Sequence, residues 1–204
     1  MLTYLNDDSF FTNITFPGQM GWYTVENWIR SYHIPQFRVI LDQEADADAL
    51  NLKDKLELYP GIKTFANVVN PWARALSSYN LLHQDKVENG ESYFSQHFDL
   101  TSFESFVLSW KDLKLGDRWY TLSTPQVDWI EYLDESGELK TVDYILRMEN
   151  LDEDFKPLQN YFQVEEGLVH IEPYPDYQSQ YSTEMKNKIE SMFHRDIERF
   201  EYKF

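Results

Sequence analysis

The chain has 204 residues, 42% of them hydrophobic and 17% aromatic, so it can bury enough apolar surface to offset chain entropy and is not a disordered chain. It carries 35 acidic against 18 basic residues, a net charge of −17 with no basic run, which argues against nucleic acid and anionic membranes as partners. It has no cysteine, which removes disulfides, thiolate nucleophiles and Cys-based zinc sites, and no apolar run approaches the roughly 20 residues of a membrane span.

MLTYLNDDSFF (1–11) has neither a basic n-region nor an apolar h-region, so no signal peptide is expected. SFFTNITF (9–16) reads as a strand, PGQMG (17–21) as a loop, and WYTVENWIRSY (22–32) as a helix with Trp22, Val25, Trp28 and Ile29 on one face. FRVILD (37–42) is a second strand, and the acidic stretch 43–58 is a partly helical, solvated excursion. IKTFANVV (62–69) is a third strand, followed by Asn70-Pro71 and a helix over 73–82. The polar stretch 83–99 reads as loop.

TSFESFVLSWKDL (101–113) predicts a helix, with Thr101 and Glu104 as a capping box and Phe103, Phe106, Val107 and Trp110 as its apolar face. TPQVDWIEYL (124–133) is a short helix or an extended piece, and DESG (134–137) is a turn. VDYILRM (142–148) is a strand, after which Asn150 can cap the helix LDEDFKPLQNYF. Residues 167–181 read as irregular. STEMKNKIESMFHRDIERF (182–200) is an amphipathic helix with Met185, Ile189, Met192, Phe193, Ile197 and Phe200 on one side. Strands alternating with helices over short connections predict an α/β fold with a mainly parallel sheet, as a single domain over 1–204.

In open α/β sheets ligands bind beyond the carboxyl ends of the strands. The loops at 17–21 and 69–72 are the candidates here. In the first, Gly18, Gln19 and Gly21 could present backbone N–H groups; in the second, Asn70 as N-cap and Pro71 at the first helical position open a helix carrying Arg74 and Ser77. Two readings of the second joint stand side by side. It is one wall of an anion site, or it is an ordinary strand-to-helix connection in which Arg74 pairs with a carboxylate and Ser77 bonds to the preceding turn. The five histidines (33, 83, 97, 170 and 194) show no metal-ligand spacing. His97, read in a loop between helices, is the candidate base for deprotonating a hydroxyl acceptor.

Several stretches resemble one family. FANVVNPWARALSSY resembles the 3′-phosphate motif F-x-F-V-R-N-P-W-x-R-x-x-S-x-Y of the carbohydrate-type (sulfotransferase-2-like) sulfotransferases. TPQVDWI, VDYILRMENLDEDF and YSTEMKNKIESMFHRDIERFEYKF are similar, in the same order, to later motifs of that family, so the likeness spans about 65–204. It implies a P-loop-like three-layer α/β fold and transfer of a sulfuryl group from 3′-phosphoadenosine 5′-phosphosulfate to a hydroxyl.

Carried onto this chain, the resemblance implies a 5′-phosphosulfate loop at Pro17–Tyr23, with Gly18, Gln19 and Gly21, and a 3′-phosphate socket at Asn70, Arg74 and Ser77. The chain departs from both. Gly18 stands where the family has Lys, Trp22 and Tyr23 replace a small hydroxylated pair, Val69 replaces the phosphate-binding Arg, and Glu172 replaces an Asn. Each lost charge-assisted contact is worth roughly 1.5–3 kcal/mol, so two or three weaken cofactor binding on the order of 10³-fold. The expectation is a sulfotransferase-like protein with a degraded donor site, acting as a non-catalytic binding or structural component with a protein partner. It would be soluble, in the cytoplasm or in a phage virion. The alternative is an active sulfotransferase with a carbohydrate acceptor; a carbohydrate-binding module is a third reading.

Overall fold

KTFANV, rich in aromatic and β-branched residues and free of proline, forms the middle strand of a three-stranded parallel sheet. The computed structural model describes residues 11–13, 53, 63–90, 98–110, 123–162 and 176–204. Among these the strand order is β1 (Phe11–Asn13), β2 (Lys63–Val68), β5 (Tyr144–Arg147), with Asn13 opposite Phe65 and Val68 opposite Arg147. A separate antiparallel hairpin pairs β3 (Glu131–Leu133) with β4 (Leu139–Thr141). The fold is mixed α/β with a small parallel sheet. The helix expected over 22–32 and the strand expected over 37–42 lie outside the described residues.

The chain divides into two compact units, Met1–Val68 with Gln126–Ile171, and Val69–Pro125 with Glu172–Phe204. In the first, α4 (Leu151–Phe162) packs on β5 and buries Leu151, Phe155 and Leu158, the i, i+4, i+7 positions of one face. Asp143 ties the starts of β2 and β5 together: its Oδ2 accepts from the Thr64 N–H at 2.8 Å and from the Thr64 hydroxyl at 3.0 Å. Asn150 does not cap α4 as expected. It lies in a 3-10 turn, Met148–Asn150, and its side-chain amide donates to Asp154 at 2.9 Å, while Asp154 also takes the Arg147 N–H at 2.8 Å.

The stretch read as short helix or extended piece is both: α3 (Val127–Ile130) runs directly into β3. The expected turn at 134–137 closes the β3–β4 hairpin, with Gly137 at φ 82, a conformation that favours glycine. Asp134 organises it, its Oδ1 accepting from the Ser136 N–H (2.9 Å), the Ser136 hydroxyl (2.6 Å) and the Glu138 N–H (3.0 Å).

The second unit is built on helices. α1 (Pro71–Asn89) runs through 83–89, where the sequence reads as loop, because Leu82 is buried and nothing breaks the helix before Gly90. Gly90, at φ 81, ends it, its N–H donating to the Lys86 carbonyl at 2.9 Å. α2 (Phe103–Ser109) buries Phe103, Phe106 and Val107, with Trp110 buried at its end. Its cap is Ser102 and not Thr101: Asp99 captures the Thr101 N–H and hydroxyl at 3.0 and 2.6 Å, leaving the Ser102 hydroxyl to accept from the Ser105 N–H. The helix expected over 182–200 is two, α5 (Thr183–Met192) and α6 (His194–Phe200), interrupted at Phe193. Phe193 is wholly buried, its ring edge-on to Trp110 at 5.8 Å.

Candidate functional site

At the β2–α1 joint the local sequence does what its chemistry dictates. Pro71 has no N–H to satisfy at the first helical position, and the Asn70 side-chain oxygen accepts from the Trp72 N–H at 3.0 Å. The other end of the Asn70 amide donates to the Lys203 carbonyl at 2.9 Å. Both functions of the Asn70 side chain are therefore engaged inside the protein, and the residue is 5% exposed.

Arg74, one turn further on, is 4% exposed. Its Nη1 donates to the Thr124 carbonyl at 3.2 Å and lies 3.9 Å from a carboxylate oxygen of Asp196, which is fully buried in the first turn of α6. The guanidinium also sits over the Phe193 ring, 5.1 Å from its centroid. Burial pushes the Arg74 pKa down to about 10, with Asp196 pulling the other way. The carboxylate pairing of Arg74 that one of the two readings expects is present in the structure. Ser77 is half-buried on the same helix, and its hydroxyl makes no hydrogen bond among the described residues. Val69, where the resemblance expects a cation, is buried at 6% exposure.

Asp196, Phe193 and Thr124 are site residues that the sequence reading passed over. Asp196 had a usable signal: it falls three residues after Phe193 and four before Phe200, in phase with the buried stripe of the terminal helices. An acid on an apolar face requires a buried partner. Which cation supplies that partner cannot be read from local spacing.

The remaining candidates, Gly18, Gln19 and Gly21 of the first loop and His97, lie outside the described residues, as do Trp22, Tyr23 and Glu172. Arg147 makes an ion pair with Asp154 at 3.4 Å. Among the described residues no group of three His, Asp or Glu side chains could hold a metal ion, and no helix is long and apolar enough to cross a membrane. No family model matches the chain, and no curated protein or solved structure matches it either.

Proposed function

We propose that this protein is a non-catalytic binding or structural component built on a P-loop-like, three-layer sulfotransferase-like scaffold whose sulfate-donor site has been lost. The observation that carries the reading is the commitment of Arg74. The one cation kept in the phosphate motif is held in the interior by Asp196, the Thr124 carbonyl and Phe193, while Val69 offers no charge. A phosphate group needs outward-facing donors and positive charge. The described residues of the motif therefore do not fit the 3′-phosphate of 3′-phosphoadenosine 5′-phosphosulfate. The three-strand parallel order and the Asn-Pro helix start support the scaffold part of the proposal.

What persists at the motif is a packed joint that keeps its cap and its buried ion pair. A surface carrying a net charge of −17 then suits a partner with a basic face, in an assembly such as a phage particle. Calorimetric titration with 3′-phosphoadenosine 5′-phosphate tests the loss of the site. No heat of binding at millimolar ligand is expected. Saturable micromolar binding, together with sulfuryl transfer to a carbohydrate hydroxyl, would overturn the proposal in favour of an active sulfotransferase.

A further inference from the structure

The last helix, α6, ends on a residue in a strained conformation. Glu201 has φ 57 and ψ 33, the one non-glycine residue with positive φ among the described residues. The chain reverses there, with the Tyr202 N–H donating to the Ile197 carbonyl at 3.0 Å, and residues 202–204 leave the helix without regular structure.

That short segment is fastened to three separate parts of the second unit. The Asn70 side-chain amide holds the Lys203 carbonyl at 2.9 Å. The Phe204 ring stands edge-on to Trp72 at 5.4 Å and to Tyr181 at 5.5 Å, and the Lys186 ammonium lies 4.4 Å from its centroid. Behind the ring the framework is cross-tied: the Tyr181 hydroxyl donates to the Trp72 carbonyl at 2.7 Å, and Trp72 Nε1 donates to the Lys186 carbonyl at 3.2 Å.

We infer that Glu201–Phe204 is a strap, hinged at Glu201, whose docking on Asn70 and Trp72 holds the first turn of α1 in place. Asn70 is the coupling element. One end of its amide caps the helix through the Trp72 N–H and the other end grips the strap, so order in one segment favours order in the other. A group that uses the Asn70 amide N–H or the face of Trp72 now covered by Phe204 must first displace the strap. Conversely, release of the strap loosens the turn that carries Arg74.

Hydrogen–deuterium exchange on the full chain tests this with three variants. Asn70→Asp keeps an oxygen acceptor for the Trp72 N–H but removes the donor to Lys203, so it breaks the strap contact and spares the cap. Phe204→Ala removes the ring and leaves Asn70 intact. In each, about ten-fold faster exchange is expected both at residues 202–204 and at 72–74, with α2 unchanged. Glu201→Gly relieves the strained hinge, keeps every contact, and slows exchange in both segments. Faster exchange confined to 202–204, or no change in either segment, overturns the inference. So does Glu201→Gly leaving both segments unchanged or faster, a result that stands even if the other two variants unfold globally.

Discussion

The carboxylate of Asp196 lies 3.9 Å from the guanidinium of Arg74, joining the first turn of the terminal helix α6 to the first turn of α1 in a setting where both side chains are almost wholly buried. An ion pair in such a place is held together by what each charge would lose without the other. Neither Arg74→Met nor Asp196→Leu can be absorbed cheaply, because each leaves an uncompensated charge inside; a loss of about 3–5 kcal/mol is expected for either. The double variant should be far less destabilised than the sum of the two. Urea unfolding of the four proteins in a double-mutant cycle measures the coupling, and additive losses would show that the pair does not act as a unit.

Asn67, the penultimate residue of β2, is fully buried, and neither its amide nitrogen nor its oxygen has a partner among the described residues. A buried polar group left unpaired is destabilising, and Val suits a buried strand position better. Asn67→Val should stabilise the protein by about 1–2 kcal/mol, a rise in melting temperature of about 2–4 °C per kcal/mol. Differential scanning calorimetry checks it; a fall in melting temperature would mean that the amide has a stabilising partner after all.

The β3–β4 hairpin depends on a charged carboxylate. The hydrogen bond from the Ser136 hydroxyl, helped by the Glu138 and Ser136 N–H groups and by Lys140, pulls the Asp134 pKa from 3.8 down to about 2. With a folded value below the unfolded one, its contribution is complete above pH 3.8 and is lost as the pH falls through about 2. The Ser136 and Glu138 amide resonances should therefore keep their turn positions at pH 4 and move towards unstructured values below about pH 2. In Asp134→Ala they should be displaced at every pH.

Tyr181 gives the opposite sign at the other end of the scale. Burial, with a smaller push from Tyr177, raises its phenol well above the ordinary 10.0. The neutral hydroxyl, donating to the Trp72 carbonyl, contributes stability that is fully present below pH 10.0 and declines as the pH rises beyond it. Tyr181→Phe should be less stable than the parent by about 1 kcal/mol at neutral pH, and the gap should narrow above about pH 10. Denaturant titrations at a series of pH values would show a constant gap if the hydroxyl is not buried in this bond.

Local chemistry made much of this protein legible in advance. The strand KTFANV, the Asn70-Pro71 helix start, the apolar face of α2, the turn at 134–137 and the helix after Asn150 are each signalled by residue patterns a few positions long, and all appear where the pattern places them. Competition and distance account for the rest. Asp99 takes Thr101 away from the α2 cap, and burial of Leu82 within a continuing helix extends α1 past its polar residues. The partner of Arg74 is settled in the fold, because a guanidinium carried into the interior must find a carboxylate there, and the terminal helix brings Asp196 to it. Residue types announced that the motif could hold a charge. The long-range packing of α1 against the terminal segment determined that the charge it holds is the protein's own.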